Sequence, residues 1–205
     1  MSSQARRERE IENMRFAILE AATKIILEEG YDNLTMRKIA DAIEYTPTTI
    51  YNYYKNKAQI IEDIVLKIYT DIVSNIIKVL ESNKYVPIDR QLWLIAREFI
   101  NTMVGNPEMG KAVFVSGTEA MVGPKGSAEP ATENDGILLL RALLKEGQDQ
   151  SIVRKLDDNA AEIIISALLG FSMYAILAKS YLHENWHGVV DIYAEILVNG
   201  LLEKS

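Results

Sequence analysis

The sequence predicts an all-α protein, organised as a short three-helix module joined by a long helix to a larger helical body. Two observations carry this expectation. Apolar residues recur at helical spacing in almost every segment, and no stretch shows the sustained alternation of a half-buried strand. Helix start and stop signals also fall at the ends of those stripes: hydroxyl or amide caps, prolines at first helical positions, and a glycine stop.

In the first helix Ile11, Met14, Ile18, Ala21, Ala22 and Ile25 form one stripe, and Gly30 is its expected stop. Thr35 is a good N-cap for a second helix over about 35–42, which buries Met36, Ile39, Ala40 and Ile43. Thr46 followed by Pro47 starts a third over 46–54. Asn56 caps a long fourth helix carrying Ile60, Ile61, Ile64, Val65, Ile68, Ile72 and Val79. In the body, one helix runs from near Pro87 to about Met103, and another opens at Asn106-Pro107 and reaches about Met121. Residues 122–135, rich in proline, glycine and acidic or amide groups, read as a loop. Helices over about 136–145, 158–181 and 186–202 complete the chain.

Composition excludes several classes of function. There are no cysteines among the 205 residues, which removes disulfides, thiolate metal sites and cysteine nucleophiles. Residues 1–12 contain no apolar run of secretory type, so a cytoplasmic protein is expected. The 16 uncharged residues at 163–178 fall short of the roughly 20 that a membrane span needs. A net charge of −7 argues against nucleic acid only if averaged. Residues 1–57 hold nine basic and nine acidic side chains, whereas 58–205 hold 13 and 20 and carry the whole excess. Basic residues cluster locally at Arg6, Arg7 and Arg9, at Arg37 and Lys38, and at Lys55 and Lys57, and phosphate contacts act over about a Debye length.

Two short helices separated by a turn at 43–45 and braced by a longer first helix have the frame of a helix-turn-helix. Ile50 and Tyr54, four apart, can anchor the third helix. Its other face then presents Thr46, Thr48, Thr49, Asn52 and Tyr53, a set of hydroxyls and an amide free of acid, suited to phosphates and base edges. Thr35 and Lys57 stand at helix N-termini, where backbone N–H groups favour a phosphate.

Residues 34–57, LTMRKIADAIEYTPTTIYNYYKNK, resemble the signature of the TetR family of one-component regulators, and 10–65 resemble its three-helix domain plus connecting helix. The resemblance implies a DNA-binding domain at 1–57 and a helical effector-binding and dimerisation domain at 58–205. It implies that Thr35, Tyr51, Tyr53 and Lys57 contact phosphates, and that Arg37, Thr46, Pro47, Thr48, Thr49 and Asn52 lie against bases or nearby backbone. The expected partners are a double-stranded DNA operator, a small-molecule effector and a second copy of the chain, with no cofactor and no membrane. One departure is Glu44, where the family usually has a small residue in the turn; glutamate tolerates positive φ poorly, so a slightly altered turn is expected.

For the body, the helix at 163–178 is apolar nearly all round, with Ile164, Leu168 and Phe171 on one side, and the last helix carries Tyr193, Ile196, Leu197 and Gly200 along one stripe. Two such helices per subunit can pair across a two-fold axis as a four-helix bundle. Dimerisation would also set two recognition helices about 34 Å apart, one per major-groove turn. Trp93, Phe99, Met103, Phe114, Met121, Phe171, Met173 and Tyr174 are candidates for an apolar effector cavity, although a helical bundle needs such residues for packing. The alternative reading, a zinc-dependent hydrolase or a metal-responsive protein, rests on residues 183–187, HENWH: His183, Glu184 and His187 match a zinc-hydrolase pattern, which requires both histidines on one helix. Trp186 and Gly188 argue for a helix break there, so no catalytic or metal residue is expected.

Overall fold

A computed structural model describes residues 3–115 and 136–203, and the described part is helical apart from turns and one isolated bridge. The helices are α1 (Ser3–Glu29), α2 (Met36–Ala42), α3 (Pro47–Tyr51), α4 (Lys57–Ser82), α5 (Ile88–Gly105), α6 (Pro107–Val115), α7 (Gly136–Asp149), α8 (Ala160–Leu177) and α9 (Trp186–Asn199). Met121 and the expected loop at 122–135 lie outside the described residues.

Local chemistry accounts for the ends of these elements. The Thr35 hydroxyl accepts from the Lys38 N–H at 3.2 Å, the Thr46 hydroxyl from the Thr49 N–H at 3.3 Å, and the Asn56 carboxamide from the Gln59 N–H at 3.0 Å. Each satisfies a backbone donor that a helix start leaves without a partner. α1 stops at Gly30, which has φ +90° and ψ 156°, a conformation costly for any other residue. A Cβ there would also lie 3.3 Å from the Glu108 carboxylate, so the same glycine permits the close approach of α6.

α2 ends in a Schellman motif: the Tyr45 N–H donates to the Ala40 carbonyl and the Glu44 N–H to that of Asp41. That motif needs a left-handed residue, and Glu44 adopts it with φ 60°. The turn therefore keeps the geometry a glycine would supply and carries the strain instead. α3 is shorter than the sequence predicts, ending at Tyr51 rather than Tyr54. Its hydrogen bonding continues nevertheless, because the N–H groups of Tyr53 and Tyr54 both donate to the Ile50 carbonyl. Ile50 and Tyr54 thus stay on one side, as their spacing predicts.

A continuous apolar core runs from the three-helix module into the body. In the module Ile18, Ala22, Ile26, Leu34, Ile39 and Ile50 are fully buried, and Ile60, Ile61 and Ile64 of α4 close the core from below. α4 then continues into the body as the shared strut. α5 lies at the centre of that body, packed against α4, α8 and α9, with Leu92, Ile95, Phe99 and Ile100 buried. α8 has the length and composition of a membrane span, yet Ile164, Leu168, Leu169 and Ile176 are buried against the other helices.

Relief of the Glu44 strain is measurable. Glu44→Gly removes a left-handed cost of about 1–2 kcal/mol and adds back part of it as chain entropy. A net gain of about 0.5–1 kcal/mol, or a rise in Tm of roughly 1–4 °C for a chain this size, is expected by calorimetry. A fall in Tm would show that Glu44 is held by something other than its backbone.

Candidate DNA-binding site

Burial of Ile50 and Tyr54 determines what α3 shows to solvent. With those two side chains in the core, Thr46, Pro47, Thr48, Tyr51 and Asn52 are exposed, and Thr49 and Tyr53 are half-buried. Thr35 and Arg37 of α2 are exposed on the same module, with the Arg37 guanidinium held only by a 3.9 Å contact to Asp41. Lys55 is exposed, whereas the Lys57 ammonium donates to the Tyr31 carbonyl at 3.2 Å and lies 4.6 Å over the Tyr31 ring. The face thus combines hydroxyls, an amide and cations with no acidic side chain on α3. Tyr45, half exposed just ahead of Thr46, also borders it, and the pattern of caps gave no reason to single it out.

A brace absent from the sequence reading holds α3 in place. The Tyr54 hydroxyl donates to the Asp63 carboxylate at 2.8 Å, and Arg15 donates to the same oxygen at 2.9 Å. The Arg15 guanidinium also lies 4.6 Å over the Tyr54 ring. Three elements, α1, the end of α3 and α4, therefore meet on one carboxylate. Desolvation, reinforced by the hydrogen bond to Asp63, pushes the Tyr54 phenol up to about 12.

A second contact joins the module to the body. The Glu108 carboxylate, in the first turn of α6, accepts from the Tyr31 N–H at 3.2 Å and pairs with Lys111. The Lys111 ammonium first, and the Tyr31 N–H after it, hold this carboxyl below its usual range. Tyr31 is thus gripped from α6 at its N–H and by Lys57 at its carbonyl.

The candidate effector residues are dispersed. Phe99 lines an apolar cavity between α4, α5, α7 and α8, with a volume of about 40 Å³, and Met103 lines a separate groove. Trp93 is sandwiched between Arg90 and Arg97, its indole N–H directed at the Asp191 carbonyl. Phe171 stacks on Tyr193 with ring centroids 3.9 Å apart and on Trp186 at 5.9 Å. Met173 is buried, Phe114 and Tyr174 are exposed, and Met121 lies outside the described residues. The residues that accompany Phe99 in the cavity are mostly aliphatic, among them Ile72, Val73, Leu140 and Leu168, and only Tyr69 brings a hydroxyl.

The expected interface set also divides. Ile164 and Leu168 belong to the core of the single chain, and Phe171, Tyr193 and Leu197 are half-buried. Ile196, at 68% exposure, and Gly200 face solvent. The open apolar stripe of α8 is instead Ile163, Tyr174 and Leu177, and that of α9 is Val189, Ile192 and Ile196. A helix apolar on every side does not reveal which side its own core takes.

The HENWH residues do not share a helix. His183 is extended, with ψ 142°, after a 3₁₀ turn at Ser180–Leu182, while His187 lies in the first turn of α9. Among the described residues, no three metal-ligating side chains cluster.

The three-helix module has the frame of a helix-turn-helix, with the polar face of α3 turned to solvent. Residues 18–64 match the family described as bacterial regulatory proteins, tetR family. An HTH-type transcriptional regulator of Bacillus subtilis, YdeS, is 44% identical over 55 residues, which are 27% of this chain and 28% of YdeS. A second HTH-type transcriptional regulator, from Mycobacterium tuberculosis, is 29% identical over 114 residues, 56% of this chain and 48% of that protein. The matches thus span about half or less of these relatives. Among solved structures, RolR in complex with resorcinol superposes with a TM-score of 0.70 at 15% identity, covering 95% of this chain and 90% of RolR. The fatty acid degradation regulator FadR of Bacillus halodurans gives 0.68 at 19%, covering 90% and 94%. Over residues 18–64 the chain is thus similar to the tetR family of bacterial regulatory proteins, and its fold is shared with RolR and FadR over nearly its whole length.

The Tyr54 brace predicts a pH effect. A phenol raised from 10 to about 12 by folding contributes stability that is intact below pH 10 and declines as pH rises toward 12. Tyr54→Phe should cost about 1–2 kcal/mol at neutral pH, because Asp63 keeps Arg15. It should also show a shallower alkaline decline than the parent, keeping the part due to Tyr31 and Tyr193, which burial also raises. Urea unfolding at pH 8 and pH 11 measures both effects, and equal alkaline slopes for the two proteins would remove the brace from the account.

Proposed function

We propose that this chain is a cytoplasmic, homodimeric repressor that binds a palindromic operator through residues 1–57 and is released by a small molecule bound in the 58–205 domain. The observation that carries this reading is the acid-free face of α3, turned outward because Ile50 and Tyr54 are buried. Thr35, Tyr51, Tyr53 and Lys57 are assigned to phosphates. Arg37, Thr46, Pro47, Thr48, Thr49 and Asn52 are assigned to base edges or adjacent backbone.

Two supports favour the dimer and the ligand. The stripes Ile163–Tyr174–Leu177 and Val189–Ile192–Ile196 leave apolar surface on two neighbouring helices, tied to each other by the Tyr193 hydroxyl on the Ala167 carbonyl at 2.7 Å. A four-helix contact with a second copy would cover them. The apolar cavity around Phe99 is bounded by α4, the strut that carries the DNA-binding module. At about 40 Å³ it admits only a few water-sized volumes, so an apolar guest has to move α4 or α7 to enter. Binding and displacement of the DNA-binding module are then one event. RolR, with resorcinol bound, shows that this fold accommodates a small organic molecule in another protein.

The test is binding of the purified protein to DNA flanking its own gene, across a range of salt. Saturable binding by a dimer is expected, weakened about tenfold or more by Tyr51→Ala with the salt slope preserved, since the phenol is uncharged. Lys57→Ala should instead lower the slope by about one. Failure with both flanking DNA and a selected random library would overturn the reading. For the dimer, Ile196→Asp should sediment as a monomer and lose at least about tenfold in DNA affinity through lost bivalency. A dimer that survives this change would move the interface elsewhere.

A further inference from the structure

A second cavity differs in character from the apolar one. It is a groove of about 250 Å³ between α1, α4, α5 and α6, six times larger than the cavity around Phe99 and near the small end of ligand sites, roughly 300–1,000 Å³. Its floor is apolar, made by the buried side chains of Ile64, Met103 and Met109. Its rim carries opposite charges one helical turn apart on α4, Lys67 and Asp71. Asn106 faces them from the α5–α6 junction, where its carboxamide oxygen caps the Met109 N–H at 3.5 Å and leaves the amide nitrogen as a donor. Lys67 is 3.3 Å from Glu20 of α1, but both side chains are more than half exposed, and pairs of that kind hold weakly.

We infer that this groove is a binding site for a free α-amino acid with an apolar side chain. An ammonium and a carboxylate at the rim complement the two charges of a zwitterion, with its carboxylate on Lys67 and Asn106 and its ammonium on Asp71. The apolar floor takes the side chain. An amine alone would engage only Asp71, and a carboxylic acid alone only Lys67 and Asn106, so each makes fewer charge-assisted contacts than the zwitterion. Specificity for the zwitterion therefore follows from the rim, and preference for apolar side chains from the floor.

The location gives the site a consequence, which rests on the regulator reading above. Thr23 of α1 supplies one wall and Gly110 of α6 another, so an occupant touches both the DNA-binding module and the helix that grips Tyr31 through Glu108. It would stabilise one angle between them and shift DNA affinity by about five- to 150-fold, the usual range of such coupling.

The experiment is titration calorimetry of the full-length protein with L-leucine, L-methionine and L-phenylalanine, each up to about 10 mM, a weak-site range. Phenethylamine and 3-phenylpropionate serve as single-charge analogues. One site per chain is expected for at least one amino acid, about tenfold weaker or worse for both analogues. Lys67→Gln and Asp71→Asn, both at exposed positions, should each abolish it, while Lys145→Gln, an exposed charge change on α7 away from both cavities, should leave it unchanged. No saturable binding of any amino acid, equal binding of an analogue, or full binding by both rim variants would overturn the assignment. DNA binding of the same preparation, measured without amino acid, separates the two readings. If it persists while calorimetry is flat, the groove assignment alone fails; if it is absent while an amino acid binds, the regulator reading fails and the site stands.

Discussion

The position of α3 depends on Tyr54. An isolated helix of five residues has almost no stability in water, since nucleation alone outweighs so few hydrogen bonds. α3 persists because Ile50 and Tyr54 are locked into the module core and the Tyr54 hydroxyl is tied to Asp63, which Arg15 also holds. Three helices are thereby fixed to one point, and the polar side chains of α3 are left no direction but outward. The exposure of Thr46, Thr48, Tyr51 and Asn52, the proposed recognition surface, is thus a by-product of where two other residues are buried. α3 itself carries no charged side chain, and the nearby cations Arg37, Lys55 and Lys57 lie on the flanking segments, away from the Ile50–Tyr54 anchor.

From that module, position is transmitted to the body by two routes of different stiffness. α4 is covalent and continuous, buried at Ile60, Ile61, Ile64 and Val65 in the module and at Ile72 and Val73 in the body. The α6 route is a polar clamp: Glu108 on the Tyr31 N–H, Lys57 on the Tyr31 carbonyl. Gly30 makes the clamp possible, because its φ of +90° and missing Cβ let the carboxylate in. A hydrophobic strut tolerates little deformation, whereas two part-buried hydrogen bonds contribute only modestly to holding one angle. Rotation of the module relative to the body is therefore resisted mainly along α4, with the clamp selecting among the angles that α4 permits.

Much of this was legible in the chain. The caps at Thr35, Thr46 and Asn56, the Gly30 stop and the anchor pair Ile50–Tyr54 are short-range signals, and each appears in the structure where its chemistry requires. Glutamate at position 44 predicts a slightly altered turn, but the Schellman hydrogen bonds outweigh its strain and Glu44 takes the left-handed conformation itself. Arg15 and Asp63 are 48 residues apart and Tyr31 and Glu108 are 77, so no pattern along the chain relates them. The faces of α8 are illegible for a different reason. Ile164 and Leu168 are core while Ile163, Tyr174 and Leu177 are open, and a helix apolar all round offers no polar side to orient it. Cavity residues were legible only as an apolar excess. Phe171 spends its ring on Tyr193 and Trp186, and Trp93 on two arginines, leaving Phe99 with aliphatic neighbours at the cavity wall.

The two cavities suggest how one scaffold can be both stable and responsive. The space around Phe99 is small and lined almost wholly by hydrocarbon, so it contributes to the core when empty and resists entry. A guest there gains apolar contact only by parting helices, which converts affinity into displacement of α4 and makes tight binding and large motion the same demand. The groove beside Lys67 and Asp71 already has ligand-sized volume and an exposed rim, so occupation requires little rearrangement. Its effect would be to stiffen the joint as it stands rather than to open it. At either site a ligand shifts the equilibrium by no more than its difference in affinity for the two states. A guest in the apolar cavity has that difference built in, because only the parted arrangement of helices admits it, whereas the groove is already open and its occupant gains only from the angle it favours.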